Sequence, residues 1–196
     1  MFYKIMRLIV YPFIRIFIRI EQHGTENIPK DKGYILAANH TSMADVFVLA
    51  VPFKGQIHYM AKGELFKFLP FKWFFSALGS FAVQRGKGDL RAIEQACDVI
   101  KDGGVLGIFP EGTRSKTGEI GKAKSGAALI AIQTKAGILP VSIRFSTGTY
   151  KPFCKAIIRI GELIPYKEPE EKETQRNSIR RISGEVMDNI KNLWEM

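Results

Sequence analysis

The stretch LAANHTSMADV, residues 36–46, sets His40 and Asp45 at the point where an apolar run stops. The chain has only three histidines, and one of them stands at the end of this run. A neutral imidazole becomes an effective general base when a carboxylate holds one ring nitrogen. That bond fixes the tautomer, exposes the other nitrogen and stabilises the imidazolium. His40 is therefore the candidate base and Asp45 the carboxylate that orients it. On one regular helix the two side chains would diverge by about 140°. The pair works only if His40 lies in a strand-to-helix turn and Asp45 in the first helical turn. A competing reading takes Ser42 and Asp45 as a helix capping box, which explains Asp45 and leaves His40 without a task.

The second chemical stretch is IFPEGTRSKTG, residues 108–118. Gly112 allows backbone N–H groups to approach an anion closely, and Arg114 can grip a phosphate with two parallel hydrogen bonds. Lys116, Lys122 and Lys124 follow at once, while Arg85, Lys87 and Lys62 end other apolar segments. The competing reading is a glycine turn on a basic surface.

These residues need elements to bring them together. GYILAA (33–38), IHYMA (57–61), FAVQR (81–85), VLGIF (105–109), ILPVSIRF (138–145) and KAIIRI (155–160) read as strands. Between them, 66–78, 89–104 and 124–137 read as helices, the first interrupted at Pro70, and a helical stripe runs from Ile179 to Leu193. Strands alternating with helices predict an α/β domain built on a mixed, mainly parallel sheet. Ligands of such sheets bind at the carboxyl ends of the strands, and both chemical stretches directly follow predicted strands.

Length and charge narrow the partners. The 196 residues suit one core, and 46% apolar content excludes a disordered chain. Lys and Arg outnumber Asp and Glu by 29 to 19, a formal charge of +10 that favours anionic partners. Two cysteines and three histidines leave no disulfide framework and too few ligands for a zinc site. The first twenty residues, MFYKIMRLIVYPFIRIFIRI, contain no acid. Helical spacing puts Lys4, Arg7, Arg15 and Arg19 within an arc of about 120°, provided Pro12 does not shift the phase. Cations disfavour a spanning helix, and no cleavage site for a secretory signal follows. The expectation is a membrane-interface helical segment over 1–22, preceding a single domain over 23–196. The competing reading is a helix packed on the core with an exposed basic stripe.

Taken together, NHTSMAD, FAVQR, FPEGTRS and ILPVSI, in this order, resemble the four conserved blocks of the glycerolipid acyltransferases, the 1-acyl-sn-glycerol-3-phosphate acyltransferases most closely. The segment HYMAKGELFKFLPF resembles the stretch that this family carries between its first two blocks. The resemblance covers about residues 24–165. The second block departs from the family pattern, with Gln84 where an acid is usual. The resemblance implies an α/β fold and transfer of an acyl chain from acyl-CoA or acyl carrier protein to the 2-hydroxyl of a lysophospholipid. His40 would be the base and Asp45 its partner. Arg85, Glu111, Gly112, Thr113 and Arg114 would bind the acceptor phosphate, with Lys62 assisting. It implies no metal, no cofactor and no nucleic acid. The expected location is the cytoplasmic face of the cell membrane, peripheral or monotopic. Glycerol 3-phosphate and a lyso-ornithine lipid remain alternative acceptors. A non-catalytic basic module binding membrane or nucleic acid is the alternative from another class.

Overall fold

The computed structural model describes residues 2–30, 33–83, 89–115, 117–171 and 173–196. Seven strands form one sheet: β1 (Ile18–His23), β2 (Tyr34–Ala38), β3 (Ile57–Lys62), β4 (Phe81–Val83), β5 (Val105–Ile108), β6 (Ile138–Phe145) and β7 (Cys154–Ile160). Their order across the sheet is β1-β7-β6-β2-β5-β3-β4, and every neighbouring pair is parallel except β6 with β7. The sheet is thus mixed and mainly parallel, as the alternation predicts.

β2 is buried at every position, which accounts for its unbroken apolar run. One face of the sheet packs against α4 (Leu90–Lys101), α5 (Gly126–Thr134) and α6 (Gln175–Glu195). The other face packs against α2 (Asp45–Leu49) and, through Ile14, against α1 (Phe2–Phe17). α4 starts where predicted: the Asp89 side chain accepts from the Ala92 N–H. Pro70 stands in the first turn of α3 (Leu69–Ala77), so it opens that helix rather than interrupting it.

The N-terminal segment differs from the helical expectation over 1–22. α1 runs through Pro12 without a break, yet it ends at Phe17, and residues 18–23 form the edge strand β1. The alternation of buried Ile18 with exposed Arg19 suits a strand paired to β7, and this pairing overrides the helical phase. Arg19 accordingly lies on the sheet edge, apart from the other three cations.

The direction of the chain turns over between β2 and β5. β2 leads through α2 to β3 on one side, while β5 leads through α5 to β6 on the other. The carboxyl ends of β2 and β5 therefore border a switch point, and each delivers one of the two chemical stretches.

Candidate active site

The chain leaves β2 under tight control. The Asn39 side chain donates to the Ile143 carbonyl at 2.9 Å and accepts from the Ile143 N–H at 2.7 Å. Its amide thus imitates a backbone unit and extends the β2–β6 ladder by one position. His40 follows immediately. Its own N–H donates to Glu111 Oε1 at 2.9 Å, and its carbonyl accepts from the Ser115 N–H at 2.7 Å. Both backbone groups of His40 are therefore clamped by the loop that follows β5.

The side chain is held as firmly. His40 Nδ1 lies 2.8 Å from Asp45 Oδ2. An ionised carboxylate only accepts, so Nδ1 carries the proton and Nε2 keeps its lone pair. The same Oδ2 accepts from the N–H groups of Thr41 at 2.6 Å and Ser42 at 2.8 Å. A single oxygen thus bonds both the imidazole and the Ser42 N–H; the reciprocal half of a capping box is not formed, because Ser42 Oγ accepts from the Ala44 N–H at 3.2 Å and α2 begins at Asp45. Asp45 is fully buried and His40 is 7% exposed. The imidazole stacks on Phe109, with ring centroids 4.0 Å apart, and Tyr59 stacks beyond Phe109 at 6.2 Å. A β-carbon at Gly107 would meet the Tyr59 ring at 2.5 Å, so glycine makes room for this stack. Burial pushes the Tyr59 hydroxyl well above its ordinary pKa, and it donates to the Val46 carbonyl.

His40 lies in an apolar cleft of about 280 Å³. Met6 and Val10 of α1, Val46 and Phe47 of α2, Phe74 of α3 and Leu78 just past α3 line it. Lys62 and Arg114 stand among its lining residues and are exposed. The cleft thus joins a long apolar volume, an imidazole and two cations.

The predicted site residues part company here. Arg114 makes no ion pair with any described residue, whereas Lys62 pairs with Glu64 at 3.2 Å. Thr113 is exposed on the same loop. Gly112 adopts a left-handed conformation with φ of 70°, and Lys124 covers the space where a β-carbon would sit. Both carboxylate oxygens of Glu111 are engaged by backbone donors, which suits a clamp better than a phosphate ligand. Its Oε1 takes the His40 N–H, its Oε2 takes the Gly121 N–H at 3.0 Å, and a carboxylate would repel a phosphate. Arg85 lies outside the described residues. Among the four N-terminal cations, Lys4, Arg15 and Arg19 are exposed. Arg7 instead turns inward, donating to the Phe53 carbonyl and to the Tyr11 hydroxyl. Sequence reasoning missed the roles of Asn39, Phe109 and Tyr59; the position of Asn39 beside His40 was the one available signal. Among the described residues, no group of three or more His, Cys, Asp or Glu side chains could hold a metal ion. No described helix is long and apolar enough to cross a membrane.

A buried His–Asp pair against an apolar cleft, set after the strands of a mainly parallel sheet, has the arrangement of an enzyme site suited to base catalysis on a greasy substrate. The comparisons give that class its family: residues 19–144 match the Acyltransferase family model, and the chain belongs to this family. It is 35% identical over 151 residues to the 1-acyl-sn-glycerol-3-phosphate acyltransferase of Bacillus subtilis (strain 168), covering 73% of the chain and 72% of that protein. It is 36% identical over 146 residues to the Streptococcus pneumoniae enzyme of the same name, covering 72% of the chain but 54% of that protein. The crystal structure of the 1-acyl-sn-glycerophosphate (LPA) acyltransferase PlsC from Thermotoga maritima superposes with a TM-score of 0.64 at 28% identity, over 92% of this chain and 75% of that one.

Proposed function

We propose that this chain transfers an acyl group from a thioester to the free 2-hydroxyl of 1-acyl-glycerol 3-phosphate, giving phosphatidic acid. The observation that carries the reading is the His40–Asp45 pair at 2.8 Å within an apolar cleft that Arg114 borders. The family match and the printed activities of the relatives support it.

The chemistry follows from the tautomer. The acceptor hydroxyl gives its proton to His40 Nε2 as its oxygen attacks the thioester carbonyl. Asp45 stabilises the imidazolium that forms. The tetrahedral oxyanion collapses, the C–S bond breaks, and the departing sulfur takes the proton back from Nε2. An ester and a free thiol result, and His40 is regenerated. No acyl-enzyme is required: Cys97 and Cys154 are buried away from the cleft, and Ser42 Oγ is used by the Ala44 N–H. The reaction as written needs no cofactor. Arg114 holds the acceptor phosphate, with Lys62 and Arg85 assisting, and the apolar cleft holds an acyl chain. The protein works at the cytoplasmic face of the membrane, with α1 in the interface.

Release of free thiol from acyl-CoA, followed with a thiol reagent, tests the reading. Lysophosphatidate should drive it, and glycerol 3-phosphate and a lyso-ornithine lipid should not. Acyl carrier protein replaces CoA in a parallel arm to identify the donor. A chain that binds lipid but releases no thiol from either donor is a binding module, and the proposal fails.

A further inference from the structure

Large apolar side chains are spread unevenly over the described surface. Fifteen are exposed, and twelve of these fall in four segments: six on α1, two (Met43 and Phe47) at the start of α2, three (Phe68, Leu69 and Trp73) at α3, and Phe153 in the turn between β6 and β7. α1, α2 and α3 all line the cleft. The fourth segment touches the end of α1, because the Phe153 ring lies 5.6 Å from that of Phe17 and its N–H donates to the Phe17 carbonyl at 2.7 Å. The exposed apolar surface therefore lies on the elements that line the cleft and continues through Phe17 to Phe153.

Phe153 adds an independent sign. Its φ is 65°, a left-handed conformation that a bulky residue adopts at a cost, and its side chain is 73% exposed. The conformation is kept although most of the ring faces solvent and its one ring contact is with Phe17.

Charge selects the occupant. Residues 2–17, 66–78 and 146–153 contain no Asp or Glu, although the chain has 19. The same segments carry exposed Lys4, Arg15, Lys67, Lys72 and Lys151. A second copy of this chain would bring cations against cations, whereas an anionic lipid surface complements both the cations and the apolar side chains.

We propose that the protein meets an anionic bilayer through a composite surface in which α3 and the Phe153 turn insert beside α1, so that the cleft opens onto the acyl-chain region between α1 and α3. What enters the cleft rests on the acyl-transfer reading; the lipid contact does not. The N-terminal helix is thus one of three insertion points.

Tryptophan provides the test, because the chain has only Trp73 and Trp194, and Trp194 packs against Arg144 away from the cleft. A Trp194→Phe variant leaves Trp73 as the sole reporter. On vesicles of phosphatidylcholine with phosphatidylglycerol, its emission should shift to the blue, be quenched by acyl-chain-brominated lipid and become protected from iodide. Phe68→Ser, and separately Phe153→Ser, should each weaken vesicle partitioning on the order of tenfold, the effect of losing one large buried side chain. Turnover of a short-chain, soluble acceptor should persist in both. A Trp73 that stays iodide-accessible in vesicle-bound protein overturns the proposal, as does a lipid-free blue shift that grows with protein concentration. Vesicle binding of the expected kind without turnover of any acceptor would sink the acyl-transfer reading and leave the lipid contact standing.

Discussion

Replacing Glu111 separates a clamp from a phosphate ligand. In Glu111→Ala, the buried His40 N–H and the N–H of exposed Gly121 each lose their acceptor. An unsatisfied buried donor costs about 1–3 kcal/mol. Water can replace the acceptor at Gly121 but not at His40, so the change should remove about 1–3 kcal/mol of the roughly 5–15 kcal/mol that holds a domain folded. For a chain of this size that loss lowers Tm by about 2–12 °C. The His40 backbone is then held on its carbonyl side alone, and a base displaced by about 1 Å loses on the order of 10² in rate. Scanning calorimetry and steady-state kinetics with both substrates varied check the two effects. The expected outcome is a lower Tm and a lower kcat, with the acceptor KM nearly unchanged. An unchanged Tm with a selective rise in acceptor KM would refute the clamp and restore Glu111 to the phosphate.

His40→Ala should lower kcat by about 10²–10⁴ with circular dichroism unaltered, the usual consequence of losing a general base. Asp45→Asn should cause a comparable loss, and also a lower Tm, because Oδ2 serves three N–H donors at once. Arg114→Ala should raise the acceptor KM strongly and leave the donor KM in place; Arg114→Lys should recover little, because an ammonium lacks the guanidinium fork. Hydrogen bonds from Lys155 and then His23 hold the Glu21 carboxyl down, to about 2. A depressed folded-state value means that this link between β1 and β7 favours folding above the ordinary carboxylate range and is lost as pH falls toward 2. NMR titration of Glu21 should place its midpoint there, and a midpoint near 4.5 would show the contacts absent.

The sheet was legible in the sequence because burial leaves a pattern. ILPVSIRF predicts β6 to the residue, and the apolar run ending at Ala38 locates β2. The His40–Asp45 pairing was legible through its company: the five-residue spacing is a weak sign alone, and the FPEGTRS loop gives the histidine a task. The first strand was hidden: Ile18 and Ile20 continue a helical phase, and only pairing with β7, more than 130 residues later, makes them a strand. The backbone bonds of Glu111 were hidden for a related reason. Local sequence places it beside Gly112 and Arg114, whereas its partners are the backbone at His40 and Gly121. Arg7 was read as a lipid-facing cation because periodicity assigns a face and cannot reveal a carbonyl waiting at Phe53.

The Asn39 amide, locked to Ile143, makes the base part of the sheet, whereas α1 is attached differently. Apart from packing and its covalent join to β1, α1 reaches residues 50–55 through three side chains that donate to carbonyls: Tyr3 to Gly55, Arg7 to Phe53 and Tyr11 to Ala50. The molecule therefore divides by opening free energy. Amides of β2 and β6 should exchange only through global unfolding, while those of α1 can exchange through local release. The α1 lining of the cleft can yield to a bulkier chain while the His40 ring stays fixed. Residues of that lining can also be changed without redesigning the catalyst.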